Sequence, residues 1–500
     1  MTRSASRLLH RKSRQRLDRR IRALGHRAPQ RRTYLPLGID FIISGVRHAL
    51  SHNNLAFWEK NFRNWGQPDN YTTEVSAGGE RIIFTADPEN IKAILATQFQ
   101  DYGKGKHFNE DWHDFLGDGI FATDGEKWHE SRQLIRPQFI KDRLSDIDIF
   151  EEHVDVLIPK LGSGREVDVV DLFFRFTLDA ATHFLLGQSV DSLVNPQVKF
   201  ADAFGHVQHI QSIIARSGTF NRFVPRKKFY EGIKEIDFFV QPFIERALAL
   251  SPDELEKRTK SDEGYTFLHA LAAFTRDRKV LRDQLINILL AGRDTTACTL
   301  SWTFYELSLY PRVTEKLRKE IEQVVGLTRK PTYEDLKSMR YLQHVLNEIL
   351  RLYPVVPYNV RLALKDTTLP RGGGTNGDEP VGILESTPIG YSTLLMQRRE
   401  DLYPSVAAGF PPILSFVPER WDRWTPKSWT YIPFNGGPRI CIGQQFALTE
   451  MAYTIVRILQ RFPFVENRMH GRHPGLKTDI VLQPARPVKV VFHEADREKQ

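Results

Sequence analysis

Cysteine is scarce: the 500-residue chain has two, Cys298 and Cys441. If Cys441 serves as a metal ligand, no intramolecular disulfide is possible, which suits a reducing compartment. Long apolar runs are also missing. The longest near the start, Leu35 to Leu50, is broken by Asp40 and Arg47. It falls short of the roughly 18–20 residues that span a bilayer. No nucleotide-binding motif is visible either. The triplet Gly372-Gly373-Gly374 lacks the strand–Gly-x-Gly-x-x-Gly–helix setting and reads as a flexible loop. Nothing else looks able to hold NAD(P)H or flavin, so electrons for any redox chemistry must come from another protein.

Acidic residues are nearly absent from the first stretch of chain. Residues 1–32 hold twelve Lys/Arg and one acid, Asp18, whereas the rest carries 58 basic and 60 acidic residues. The net charge of +9 therefore describes a near-neutral globule with a basic arm over residues 1–33. A solvated tail, contact with an anionic membrane surface and an organelle presequence all fit such an arm. Nucleic-acid binding does not, because the arm has no aromatic residue before Tyr34.

The remainder is the composition of a large core: 41% hydrophobic and 26% charged, with no linker and no internal repeat. Alternation over Tyr71–Ser76 and Glu80–Thr85 around Ala77-Gly78-Gly79 predicts a hairpin. Asp87-Pro88 then caps and opens a helix to about Ala96. From about Asp124 to Tyr310 the pattern is mostly helical, broken at Gly162–Gly164, Asn195-Pro196, Pro225 and Ser261–Gly264. Helices follow from Pro311, after Thr332, over Tyr341–Tyr353 and over Gln444–Phe462. Short strands fill Val360–Met396, and Ile480–His493 reads as a closing hairpin around Pro484 and Pro487. The expected fold class is mainly α with a small β region, with one large domain over residues 34–500.

The most informative string is Phe434-Asn435-Gly436-Gly437-Pro438-Arg439-Ile440-Cys441-Ile442-Gly443. It sets a cysteine in a tight loop ahead of a helical run. Unpaired N–H groups at a helix start favour thiolate over thiol. Arg439 can reach an anionic group of a bound cofactor. Taken alone, the string also fits a buried, inert cysteine.

Leu285 to Ser308 forms a long helical pattern interrupted by Ala291-Gly292-Arg293-Asp294-Thr295-Thr296. Glycine and paired threonines are poor helix-interior residues, and a threonine hydroxyl can bond the carbonyl four residues back. A plain packing notch is the alternative. Glu348 and Arg351 stand three apart on one helix face and can pair. Trp128 and Arg132 share a face at four apart.

Together these strings resemble the cytochrome P-450 family, over about residues 34–495. Phe434 to Gly443 matches its Phe-x-x-Gly-x-Arg-x-Cys-x-Gly signature, and Ala291–Thr296 its oxygen-activating helix. Glu348-Ile349-Leu350-Arg351 matches its Glu-x-x-Arg motif. Phe416-Val417-Pro418-Glu419-Arg420-Trp421 is similar to its Phe-x-Pro-Glu-Arg-Phe segment, with Trp421 in place of the usual Phe. Within the family the chain looks closest to the fungal alkane- and fatty-acid-hydroxylating group. It departs from that group at Glu385-Ser386-Thr387-Pro388 and at Met396-Gln397-Arg398-Arg399. No stretch near its start reads as the membrane helix that commonly heads eukaryotic relatives; an anchor missing from this sequence and one truly absent both stay open.

The resemblance implies haem b, its iron ligated by the Cys441 thiolate. It places Trp128, Arg132, Arg361, Phe434 and Arg439 around the cofactor and assigns Asp294 and Thr295 as the acid and alcohol that deliver protons. Thr296 is the lesser candidate, and Cys298 reads as core or pocket wall. Glu348, Arg351 and Arg420 would form a buried network. The implied activity is a monooxygenase inserting one oxygen atom of O2 into a C–H bond. An n-alkane or fatty acid, hydroxylated at its terminus, is the favoured substrate. The implied partners are an NADPH-dependent diflavin reductase and cytochrome b5, with the basic arm touching a membrane. The expected location is the cytosolic face of the endoplasmic reticulum; cytoplasmic and mitochondrial placements stay open. The alternative functions are a haem-thiolate isomerase or dehydratase acting on a peroxide, which an intact Asp294-Thr295 pair disfavours, and a haem-binding sensor.

Overall fold

The computed structural model describes residues 15–65, 70–139, 147–260 and 266–495. The expected break at Ser261–Gly264 and residues 1–14 of the basic arm lie outside these. The chain clusters into two compact units, each assembled from separated stretches.

The first unit comprises Met1–His107, Pro357–Pro404 and Pro426–Cys441. Its centre is a five-stranded sheet in the order Thr72–Ala77, Glu80–Thr85, Pro388–Ser392, Tyr358–Ala363, Tyr102–Gly103. The first two strands are the expected hairpin, with Ala77 opposite Glu80. A second hairpin pairs Thr367–Gly373 with Glu379–Ile383. Asp87 caps the next helix as its sequence requires, accepting from the N–H groups of Glu89 and Asn90 at 2.9 and 3.2 Å. That helix, Pro88–Lys92, continues into a wider π turn, Ala93–Thr97. The core joins both sheet and helix through Ile83, Ile91, Leu95, Val381, Ile389 and Tyr391.

The described part of the basic segment, 15–33, is packed into this unit. Residues 15–24 are helical. The N–H of His26 donates to Pro380 O at 2.8 Å, and that of Arg31 to Glu74 O at 2.8 Å. Glu74 is 1% exposed and lies against the guanidiniums of Arg27 and Arg81.

The second unit comprises Phe108–Val356, Ser405–Thr425 and Ile442–Gln500. It is built of helices, among them Gly125–Ile135, Asp148–Leu161, Val169–Leu186, Lys199–Ser217, Lys227–Ala249, Arg278–Leu309, Pro311–Val324, Arg340–Leu352 and Gln444–Arg461. Each sequence-predicted helix beyond residue 310 is found, and Thr332 forms a full capping box with Asp335. The Arg278–Leu309 helix is enclosed nearly all round, as a helix without a polar face must be.

Two expectations are overturned. Gly372-Gly373-Gly374 is not a flexible loop: Gly372 and Gly373 end the Thr367–Gly373 strand, with Gly373 opposite Glu379, and Gly374 begins the turn. Ile480–His493 is not a hairpin: Leu482–Pro484 pairs with Leu476–Thr478, and Lys489–His493 pairs with both Phe464–Asn467 and Glu166–Asp168. Pro484 and Pro487 remove donors where a hairpin would need them. Val490, Val491 and Phe492 are all buried, so this strand takes a central place with partners distant in sequence. Among the described residues, no helix is long and apolar enough to cross a membrane.

Candidate active site

The cysteine loop is closed by its own backbone. The N–H of Cys441 donates to Phe434 O at 2.9 Å, and that of Ile440 to Gly437 O at 3.0 Å. Asn435 braces the loop through its Nδ2, which donates to Arg439 O at 3.2 Å, while its Oδ1 accepts from the Tyr391 hydroxyl at 3.2 Å. Gly437 has φ of 65°, and a Cβ there would stand 1.8 Å from Leu95 O. Only glycine fits that approach. The half-buried Phe434 opens the loop, and Cys441 leaves it exposed, three residues ahead of the Gln444–Arg461 helix.

Arg361, on the Tyr358–Ala363 strand, is 3% exposed. Its Nη1 donates to Asn359 Oδ1 at 3.0 Å and Val360 O at 2.8 Å. Its guanidinium lies 5.9 Å from the Tyr391 ring. Burial pushes the Tyr391 phenol up, while the charges of Arg361 and Arg439 both pull it down. The phenol beside Arg361 thus feels the charge of both arginines, and its hydroxyl is tied to the cysteine loop. Phe434, Arg439, Cys441 and Arg361 are in this way brought together within the first unit.

The other sequence-predicted residues lie in the second unit. Trp128 and Arg132 share one side of the Gly125–Ile135 helix, with the guanidinium 5.9 Å from the indole. In the Arg278–Leu309 helix, every residue from Asp283 to Ser308 is buried except Ala291, Gly292 and Thr295. These three, spaced i, i+1 and i+4, form one accessible patch on the otherwise buried stretch from Asp283 to Ser308. The Thr295 hydroxyl donates to Ala291 O at 2.7 Å, the back-bond its sequence suggests.

Asp294, beside it, is 4% exposed. Its Oδ2 accepts from Gln208 Nε2 at 2.5 Å, and its Oδ1 lies 3.6 Å from Arg293 Nη1. Burial pushes this carboxyl up, with Arg293 and Gln208 opposing. The Arg293 guanidinium lies near the rings of Phe174 and Phe204, at 5.5 and 5.7 Å. Thr296 faces the other way, toward Glu450 on the Gln444–Arg461 helix. Burial drives the Glu450 carboxyl up to about 8, an effect the Thr296 hydroxyl moderates. Cys298 is fully buried, and burial pushes its thiol well up, so it stays a protonated core residue.

The buried network is present. Glu348 Oε2 and Oε1 each accept from Arg351 at 2.8 Å, from Nε and Nη2. Oε1 also accepts from Arg420 Nε at 3.3 Å and Val417 N at 3.2 Å. Neither Glu348 nor the two arginines has meaningful exposure, so the charges rely on one another. Sequence reasoning missed two participants, Gln208 and Glu450. The signal was available for both: each is a polar residue in register with the apolar face of its helix, Gln208 among Phe200, Phe204, Val207 and Ile214.

The cytochrome P450 family model matches residues 60–492. The chain belongs to the cytochrome P450 family. Among its relatives, it is 50% identical to "Cytochrome P450 monooxygenase pvhE" of Talaromyces variabilis, covering 96% of this chain and 93% of that one. It is 43% identical to "Cytochrome P450 52A13" of Debaryomyces hansenii, over 80% and 79% of the two chains. It is also 43% identical to "Cytochrome P450 52A1" of Candida tropicalis, over 83% and 79%.

A P450 is a haem-thiolate monooxygenase, and so is this enzyme: it binds haem through a cysteine sulfur, uses O2 and draws electrons from a reductase. The residues fit that cofactor. Of the two cysteines, one is sealed in a helix and the other exposed on a braced loop. The arginines gathered near that loop suit anionic propionates.

Proposed function

We propose that the enzyme hydroxylates the terminal carbon of an n-alkane or fatty acid, with Cys441 as the iron ligand. Trp128, Arg132, Arg361 and Arg439 bind the propionates, and Phe434 packs beside the sulfur. When bound, the haem supplies oxygen activation and transfer of one oxygen atom to a C–H bond. Asp294 holds a proton in a dry site, and the Thr295 hydroxyl passes it toward oxygen. Ala291 and Gly292 leave room beside that hydroxyl. The observation that carries this reading is the accessible patch of Ala291, Gly292 and Thr295 on a helix buried elsewhere along its middle.

The substrate class is supported by the string Ala291–Thr296 with Arg293, by Phe434–Ala447 with Gln444-Gln445, and by the two 52A-named relatives. The electron donor in this reading is an NADPH-dependent diflavin reductase, with cytochrome b5 as a second donor. Peripheral contact with a membrane, at the cytosolic face of the endoplasmic reticulum, is supported by the Ile39–Leu50 helix. Its Ile39, Ile43, Val46 and Leu50 form an exposed apolar stripe, close in sequence to the basic segment.

The test is NADPH consumption and product analysis with added reductase over a panel of alkanes and fatty acids. Reductase-dependent ω-hydroxylation is expected. Reductase-independent rearrangement of a fatty-acid hydroperoxide would replace this reading with the isomerase one.

A further inference from the structure

Gln208 is 8% exposed on the Lys199–Ser217 helix, where its neighbours on the buried face are Phe200, Phe204, Val207 and Ile214. A primary amide costs free energy in such a place unless its hydrogens are bonded. Its Nε2 donates to Asp294 Oδ2 at 2.5 Å. Among the described residues this is the one hydrogen bond to that carboxyl from a side chain. Arg293 Nη1, 3.6 Å from Oδ1, is too far for another. Asp294 Oδ1 is buried and accepts no hydrogen bond.

The same helix also fixes Arg293. Phe204, one turn before Gln208, lies with its ring 5.7 Å from the guanidinium, and Phe174 with its ring at 5.5 Å. One helix face therefore places a ring on Arg293 and an amide on Asp294. The carboxyl is held by one oxygen while the other is left for proton exchange.

We propose that Gln208 is a positioning residue for proton delivery, its amide holding Asp294 in the orientation from which that carboxyl serves Thr295. The proposal rests on the role given to Asp294 above. Burial favours the protonated carboxyl, with the Arg293 charge and the Gln208 donor opposing.

The test uses the haem-loaded full chain with its reductase and a fatty acid that the unaltered enzyme turns over. Gln208→Leu keeps bulk and removes the donor; Gln208→His returns an N–H at similar reach. With Gln208→Leu, product per NADPH should fall roughly fivefold to tenfold, with hydrogen peroxide making up the difference. The solvent deuterium isotope effect on product formation should rise. Gln208→His should recover most of the coupling. If Leu fails to load haem, Gln208→Met supplies the donor-free variant.

A thermal-stability double-mutant cycle of Gln208→Leu with Asp294→Asn reads the contact without turnover and should be non-additive. Coupling unchanged in Gln208→Leu would overturn the proposal. So would equal loss in Leu and His with an unaltered isotope effect, or an additive cycle. If Asp294→Asn itself stays coupled, the role of Asp294 fails instead, and that result stands apart from the cycle.

Discussion

The indole N–H of Trp421 donates to Glu348 Oε2 at 3.0 Å. Where the family usually has Phe, this chain thus adds a donor to a carboxylate that already holds Arg351 and Arg420. The departure in sequence is matched by a hydrogen bond that phenylalanine cannot make.

Trp421→Phe should therefore destabilise the protein by about 1.5–3 kcal/mol, the usual worth of a hydrogen bond to a charged group. Thermal melts check this. Glu348→Ala should be worse, because it leaves two buried guanidiniums without their carboxylate. A tryptophan variant as stable as the parent would show that the indole bond adds nothing.

Cys441→Ala should abolish the thiolate-type spectrum of the ferrous carbon-monoxide complex, whereas Cys298→Ala should keep it. The exposed thiol stands on a braced loop, and the buried one is held protonated by its surroundings. Retention of the spectrum after Cys441→Ala would place the ligand elsewhere.

Thr295→Ala should preserve haem and substrate binding but divert reducing equivalents to hydrogen peroxide, by about 10-fold or more in product per NADPH. Thr296→Ala should keep coupling, since that side chain turns toward Glu450 rather than to the accessible patch. Peroxide release and product are measured side by side. Reversal of the two phenotypes would reassign the alcohol.

Glu450 makes a pH prediction. Its folded-state value is raised to about 8 from 4.5, so between these the folded protein holds a proton that the unfolded chain releases. The stability this lends is full below about 4.5 and is lost as pH rises through about 8, at up to about 1.4 kcal/mol per pH unit. Glu450→Gln should flatten that slope and raise denaturation midpoints near neutral pH. An unchanged slope in the variant would mean that other groups set it.

What the sequence made legible follows from local physics. Asp87 and Thr332 cap helices because a short side-chain oxygen must meet their open N–H groups. Gly437 is forced by the Leu95 carbonyl, so the cysteine loop was readable as a string. The pairing of Trp128 with Arg132 and of Glu348 with Arg351 came from helical spacing. Missed features depend on partners distant in sequence. Lys489–His493 found strands at Glu166–Asp168 and Phe464–Asn467 instead of its neighbour. Glu166–Asp168 is too short to show alternation. Gln208 and Asp294 are 86 positions apart, and only packing of their two helices joins them.

Charge alone suggests residue 33 as the place to trim this protein for expression. The structure argues for a cut no later than residue 14. Arg27 belongs to the clamp on Glu74, a carboxylate sealed inside the strand Thr72–Ala77, and the backbone at Pro29 and Arg31 is bonded to that same residue. A version starting at Tyr34 would strip one counter-ion and an edge ladder from the sheet that carries Arg361, and its low yield of haem-loaded material could be mistaken for a missing membrane anchor.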